Sequence, residues 1–310
     1  MNSVKVRAYA KLNLTLEIMG VQNGFHLLDS LVASVDLFDE IKAKKKKGVL
    51  STVVMHGMGS ESIAPEHNNA LKAAEAFSRR FGTDGAEITV FKNIPIGAGL
   101  GGSSADIAGV LKAMQKLYGV TDDEAVKALG AELGSDVPYM LGGGFARMSG
   151  RGETVEPIPY SKDKLWLLLL CPSGGVSAGA AYRTYDELGA KNYAWGNTQR
   201  AINALLSGDK EALGAAFTNH LYPAAAALFQ EVEKTMSEAE SFSPLGACMT
   251  GSGSCVFALF ETKELCDWAK SRYKGKAKAY VVSTVEQRKE KKGEWQFPFA
   301  LRKDEIERGE

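Results

Sequence analysis

The chain is poor in the residues that staple small secreted folds. Its four cysteines, Cys171, Cys248, Cys255 and Cys266, show no Cys-x-x-Cys spacing and no pairing with histidine. That pattern offers neither a disulfide framework nor a zinc site, and it predicts buried free thiols in a reducing compartment. Net charge is lacking too, because 37 Lys and Arg balance 37 Asp and Glu. A neutral chain has no general pull toward nucleic acid or an anionic membrane, so neither is expected as a partner. The one basic run, Lys42-Ala43-Lys44-Lys45-Lys46-Lys47, reads as a solvated strand end. Long apolar runs are absent as well. The longest, residues 165–171, is too short to span a bilayer and reads as a buried strand. The first residues, Met1 to Arg7, lack a hydrophobic signal region, so a cytoplasmic location is expected.

What is present is globular. Apolar residues make up 45% of 310 residues, enough for a sizeable core in one large or two moderate domains. Strand-like patterning covers 4–10, 12–19, 31–41, 49–56 and 86–91, with Gln22-Asn23-Gly24 as a turn. Helical spacing of alanine and apolar residues predicts helices over 69–81, with Gly82 as its stop, and over 104–118. Thr121-Asp122-Asp123-Glu124 reads as a capping box for a helix ending near Leu133. After a proline-containing, polar stretch at 156–164, the second half reads as a strand and helices over 197–206, 210–217 and 223–239. A glycine-rich loop, a strand over 255–260 and a helix over 263–273 follow. Runs of strands and runs of helices, without regular alternation, predict an α+β fold. We expect an N-terminal lobe over 1–160, a C-terminal lobe over 161–283 and a frayed, charged tail from about Val281, its separate segment being 284–310.

The most informative segment lies between the strand at 86–91 and the helix at 104–118: Pro95, Ile96, Gly97, Ala98, Gly99, Leu100, Gly101, Gly102, Ser103 and Ser104. Backbone amides unshielded by Cβ atoms and opening onto a helix N-terminus form an anion site. The two serines are placed to cap the helix, or to give hydroxyls to phosphate oxygens or a metal ion. Gly97, Gly99 and Gly102 match the dinucleotide pattern G-x-G-x-x-G, but Asn93-Ile94-Pro95 separates the strand from the loop. Asp122 and Asp123, at the distance of the ribose-binding acid, begin a helix. A Walker A loop needs a lysine before the serine, and none is there.

The loop resembles the signature of the GHMP kinases. Ala10-Lys11-Leu12-Asn13-Leu14 resembles their first motif and Met249-Thr250-Gly251-Ser252-Gly253-Ser254-Cys255-Val256-Phe257 their third. Asn23-Gly24-Phe25-His26, Val35 to Ile41, Leu133-Gly134-Ser135-Asp136-Val137-Pro138 and Gly150-Arg151-Gly152-Glu153 are similar to landmarks of one branch, whose acceptor is a cytidine diphosphate-linked polyol of isoprenoid precursor synthesis. The resemblance covers roughly residues 4–282. It implies a two-lobed fold with a ribosomal-protein-S5-like N-terminal lobe and a ferredoxin-like C-terminal lobe. It implies ATP with Mg2+, transfer of a phosphoryl group to a 2-hydroxyl, and a monomer or homodimer.

By the same resemblance Asp136 accepts the proton of the attacking hydroxyl, and Lys11 keeps it ionised and stabilises the transferred group. Pro95 to Ser104 holds the nucleotide. Asn13, Phe25, His26, Tyr182, Gly251 and Gly253 contact the acceptor, Tyr182 by stacking on the pyrimidine, and Ser103 or Ser104 reaches the metal. The loop is one glycine shorter than the usual Gly-Leu-Gly-Gly-Gly-Ser-Ser, and it continues Ala105-Asp106 where Asp-Ala is customary. Phe25 stands for a common Tyr and Ala178 for a common Thr. Singly, Lys11 reads as a surface lysine, Asp136 as a helix cap, His26 as a turn residue and Tyr182 as packing; their joint order carries the assignment. Other readings are a family kinase acting on mevalonate, homoserine or a sugar, a non-catalytic nucleotide binder, and a dinucleotide oxidoreductase.

Overall fold

Strand β1 (Ser3–Asn13) alternates buried and outward side chains in its first half and is buried throughout its last four residues. That switch marks where a one-sided sheet strand runs into the centre of the molecule. The computed structural model describes residues 2–48, 50–62, 68–160, 162–189 and 194–286. Strand β2 (Thr15–Gln22) turns through Asn23 and Gly24, at φ 53° and 77°, into β3 (Phe25–Lys45). Two successive positive φ values match the right-handed twist of a hairpin, as the Asn-Gly pair predicts. Strand β3 has 21 residues and is the spine of the first lobe. It pairs with β1 and β2, and also with β5 (Ala86–Lys92) and β6 (Phe145–Gly150). Strands β4 (Thr52–Gly57) and β7 (Thr154–Ile158) extend the sheet through β5 and β6. Between Tyr9 and Ala10 the register of β1 on β3 slips. Such a bulge re-aims the side chains that follow, and Lys11 is one of them.

Helices α1 (Asn69–Phe81), α2 (Gly102–Tyr118) and α4 (Val137–Gly142) pack on this sheet, and α3 (Asp123–Leu133) packs on these helices. Left-handed Gly82 ends α1, as its pattern predicts, and Asn68 caps its start. Helix α2 lies close on the sheet because residue 109 is glycine: a Cβ there would stand 2.7 Å from Ile41. The cap of α3 is Asp122, not Thr121; its carboxylate accepts from Ala125 N.

The second lobe carries β8 (Trp166–Cys171), α5 (Ala178–Leu188), α6 (Asn197–Ser207), α7 (Lys210–Ala215), β9 (Thr218–Asn219), α8 (Tyr222–Leu228) and α9 (Glu231–Glu240). It ends in β10 (Gly246–Met249), β11 (Val256–Phe260), α10 (Lys263–Arg272) and β12 (Lys278–Ser283). Its sheet runs β10-β11-β8-β12 with every pairing antiparallel, the ferredoxin-like order. The lobes are not independent. Strand β9 adds to the edge of β2, and buried Glu17 of β2 accepts the amides of Asn197 and Thr198 at the start of α6. One apolar core runs from Leu12 and Leu31 through Leu167 to Phe257.

Four expectations are corrected. Cys171 and Cys255 form a disulfide, leaving Cys248 and Cys266 as buried free thiols. Cys171 ends β8 and Cys255 immediately precedes β11, with their Cα atoms 4.4 Å apart. The helix expected over 223–239 is broken by extended Phe229 into α8 and α9. Helix α5 and strand β10 were not among the expected elements. The frayed tail expected from Val281 instead begins as β12, and Thr284 and Val285 donate to Leu165 O and Ser34 O. The rest of that tail, 287–310 with Lys289 to Lys292, and Val49 of the expected strand at 49–56 lie outside the described residues.

Candidate active site

The glycine loop runs from the end of β5 into α2, which begins at Gly102 with Gly101 as its cap at φ 70°. No side chain caps this helix, so Ser103 and Ser104 sit in its first turn with hydroxyls unspent on capping. Ser103 Oγ accepts from Asn69 Nδ2 at 2.7 Å, which leaves its proton to give. A seventeen-residue helix with no side-chain cap presents bare amides and the positive end of its dipole. The loop lines a cavity of about 360 Å3 together with Met55, Asn68, Asn69, Lys92 and Asp106. A lining of loop amides with the apolar side chains of Met55, Ile94 and Ile96 suits a nucleotide triphosphate.

A second glycine loop, residues 250–254, locks onto the first. Cys255 N donates to Ala98 O at 3.2 Å, and Gly253 N to Thr250 O at 3.1 Å. Gly99 has φ 78°, and a Cβ on it would stand 2.1 Å from the Thr250 carbonyl oxygen. Gly251 lies against the backbone of Gly99, and Gly253 against Met249 and Ala225. Of the two glycines expected at the acceptor, Gly251 thus packs on the 95–104 loop at Gly99.

Lys11 is 6% exposed, not a surface lysine. Its backbone N donates to Leu100 O at 3.1 Å, and its stem runs along Gly101. Its ammonium donates to Asn13 Oδ1 and lies 3.7 Å from Asp136 Oδ2. Asn13 is held in turn: its backbone N donates to Thr250 Oγ1 at 2.9 Å and its Nδ2 to Ser30 Oγ at 2.8 Å. Asp136 stands at the start of α4, yet its side chain makes no capping bond. The carboxylate is therefore free of the backbone, paired with Lys11, and 31% exposed, open enough for a ligand hydroxyl to reach. Gly152, in the 150–153 turn, is beside it, with its Cβ position 3.7 Å from Asp136 Oδ1.

Two of the residues expected at the base end, His26 and Tyr182, meet. His26 stacks on Tyr182 with ring centroids 4.7 Å apart and meets Tyr185 edge-on. Its Nε2 lies 2.7 Å from Asp186 Oδ1. One face of Tyr182 is thereby taken by His26. Burial and, second, the charge of Asp136 push the Tyr182 hydroxyl up to about 12, which ties this cluster electrostatically to the Lys11 pair. Phe25 is exposed, and the Arg151 guanidinium sits 4.4 Å from its ring centre.

Beneath the phosphate loop, Lys92 bridges two buried carboxylates. It donates to Asp39 and, at 2.7 Å, to Asp106 Oδ2. Asp39 also accepts from Asn93 N at 2.5 Å and Ile94 N at 2.9 Å, fixing the entry to the loop. Burial works against the charge of Lys92, but the two carboxylates outweigh it and hold its pKa above the ordinary value. Burial raises Asp106 to about 7 against the pull of Lys92, and its Oδ1 has no partner. An orphaned carboxylate oxygen and two serine hydroxyls at one cavity are the oxygen donors a hard divalent cation takes alongside nucleotide phosphates. Among the described residues no three His, Cys, Asp or Glu gather as a cage of their own.

Sequence reasoning missed Thr250 as a clamp, the Asp39–Lys92–Asp106 group, Asn69 and Asp186. Asp186 had a local signal, since it lies four residues after Tyr182 on one helix. No helix among the described residues is long and apolar enough to cross a membrane.

Comparison with known proteins bears on this geometry. A model of the GHMP kinases N terminal domain matches residues 68–144, and one of the GHMP kinases C terminal matches 201–273. A 4-diphosphocytidyl-2-C-methyl-D-erythritol kinase of Desulfitobacterium hafniense is 35% identical over 295 residues, covering 92% of this chain and 97% of its own. One from Clostridium beijerinckii is 34% identical, with 91% and 100% covered. A crystal structure of a 4-(cytidine 5'-diphospho)-2C-methyl-D-erythritol kinase aligns with TM-score 0.74 and 28% identity, over 91% of this chain and 99% of that one. A homoserine kinase from Cytophaga hutchinsonii, at 21% identity and TM-score 0.72 over 93% and 96%, shares the fold.

Proposed function

The chain belongs to the GHMP kinases, and from that premise we propose that it phosphorylates the 2-hydroxyl of 4-diphosphocytidyl-2-C-methyl-D-erythritol with ATP. It is an ATP-dependent small-molecule kinase. The observation that carries the mechanism is the Lys11 ammonium 3.7 Å from Asp136 Oδ2, on a backbone bonded to the phosphate loop at Leu100.

The acceptor oxygen attacks the γ-phosphorus, its bond to the β,γ-bridging oxygen breaks, and ADP leaves with that electron pair. The hydroxyl proton goes to Asp136. Lys11 holds that carboxylate in place, and its ammonium is the counter-ion for charge on the transferred group. Phosphoryl transfer asks a protein mainly for position and electrostatics. Asn13, pinned by Thr250 and Ser30, fixes the ammonium. The amides of residues 97–104 hold the nucleotide phosphates. Ser103, Ser104 and Asp106 would hold Mg2+, which when bound neutralises charge on the β- and γ-phosphates. The cytidine end falls to His26, Phe25 and Tyr182, and we place the reaction in the cytoplasm.

The test is to offer ATP with the cytidine diphosphate-linked polyol, mevalonate, homoserine and a sugar, and to weigh the products. A gain of one phosphoryl group on the cytidine-linked acceptor alone is expected. Turnover of another acceptor instead would overturn the assignment.

A further inference from the structure

His26 is more than a ring beside Tyr182; its polar atoms are already divided. The ring side chain is 13% exposed, one face lies on Tyr182, and Tyr185 meets its edge. Nε2 is 2.7 Å from Asp186 Oδ1. No hydrogen bond from Nδ1 to the protein is found among the described residues, so Nδ1 is the unspent polar atom of the ring. An ionised carboxylate only accepts, so the proton of a neutral imidazole facing it must be on Nε2. Nδ1 then carries a lone pair. A ring flip would exchange the two nitrogens, and the Asp186 bond opposes it.

We infer that Asp186 is a positioning residue which locks the orientation and tautomer of His26, so that the base site reads the 4-amino group of cytosine and rejects uracil. This rests on the proposed reading of His26 as a contact of the acceptor's base. A pyrimidine edge-on to Nδ1 lies in the imidazole plane, and therefore nearly parallel to Tyr182, whose ring is tilted 21° from His26. Cytosine offers an N–H donor at position 4 and uracil a carbonyl oxygen. The first meets the Nδ1 lone pair as a hydrogen bond; the second sets lone pair against lone pair. Asp186 and Tyr182, four residues apart on α5, move together, so stacking surface and tautomer lock are carried by one element.

The experiment compares wild type, Asp186→Ala and Asp186→Asn at about pH 8. It measures kcat/KM for the cytidine diphosphate-linked acceptor and its uridine analogue. Wild type should favour cytidine by at least about tenfold, the worth of roughly one hydrogen bond. In Asp186→Ala that ratio should fall about tenfold, carried by KM more than kcat. Asp186→Asn should retain most of the ratio, because its amide oxygen still accepts from Nε2–H. Nitrogen-15 spectra of wild type should show His26 protonated on Nε2 alone. A cytidine-to-uridine ratio unchanged in Asp186→Ala, or a wild-type proton on Nδ1, overturns the inference. Failure of wild type to use either nucleotide-linked acceptor would instead sink the proposed function.

Discussion

Gly99 and Thr250 meet backbone to backbone, so closely that a Cβ on Gly99 would stand 2.1 Å from the Thr250 carbonyl oxygen. This contact joins the two glycine loops, one from each lobe, and sets the shape of the phosphate site. Gly99→Ala adds that clash to the strain of φ 78°. We expect a loss of about 2–3 kcal/mol of stability and at least a tenfold rise in KM for ATP. Gly97→Ala has the same positive φ but nothing within 4 Å, so its cost should be smaller, about 1 kcal/mol. Thermal melts and ATP titrations of the two variants check this order.

Asp39 and Asp106 share Lys92 but should not tolerate change equally. Asp39 accepts from two backbone amides as well as Lys92, whereas Asp106 has an oxygen with no partner. Asp39→Ala leaves two backbone amides unpaired and Lys92 with Asp106 as its one remaining carboxylate, and is expected to cost about 3–5 kcal/mol. Asp106 carries a raised folded pKa, about 7 against an ordinary 3.8. Between those values the folded state holds a proton that the unfolded state has lost, so this group lowers stability as pH rises and costs most above about 7. The difference in Tm, Asp106→Asn minus wild type, should therefore rise from about pH 4 to about pH 7 and then level off. A flat or falling difference would contradict the buried-carboxyl assignment.

The disulfide makes its own forecast. Denatured without reductant, the protein should expose two alkylatable thiols, Cys248 and Cys266, and with reductant four. The bridge closes 84 residues, so reduction should cost about 2–4 kcal/mol and lower Tm. Four reactive thiols without reductant would rule it out.

How far the sequence foretold this molecule depends on the distance between cause and effect. Helix α1 was legible to the residue, because alanine spacing and Gly82 are both local signals. The break between α8 and α9 was not, since Phe229 and Gln230 carry no glycine or proline and tertiary packing decides the extended backbone there. The Cys171–Cys255 bridge depends on the register of β11 on β8, which no spacing reveals. In the site, motifs located Lys11 and Asp136, and the structure brings them together across 125 residues of chain (136 − 11). They could not show that Gly251 packs on the 95–104 loop at Gly99, or that His26 would cover part of Tyr182. The group around Lys92 escaped notice because Asp39 and Asp106 are brought to it by the sheet and by α2.

The most direct measurement concerns Asp136. In Asp136→Asn, kcat with the cytidine diphosphate-linked acceptor should fall by about 10^2–10^4, the range for a lost general base. The dissociation constant for ATP should stay within about threefold, because the proposed nucleotide cavity, lined by residues 95–104, does not include Asp136. Turnover close to wild type in that variant, with ATP binding intact, would contradict Asp136 as the proton acceptor and with it the mechanism assigned to the site.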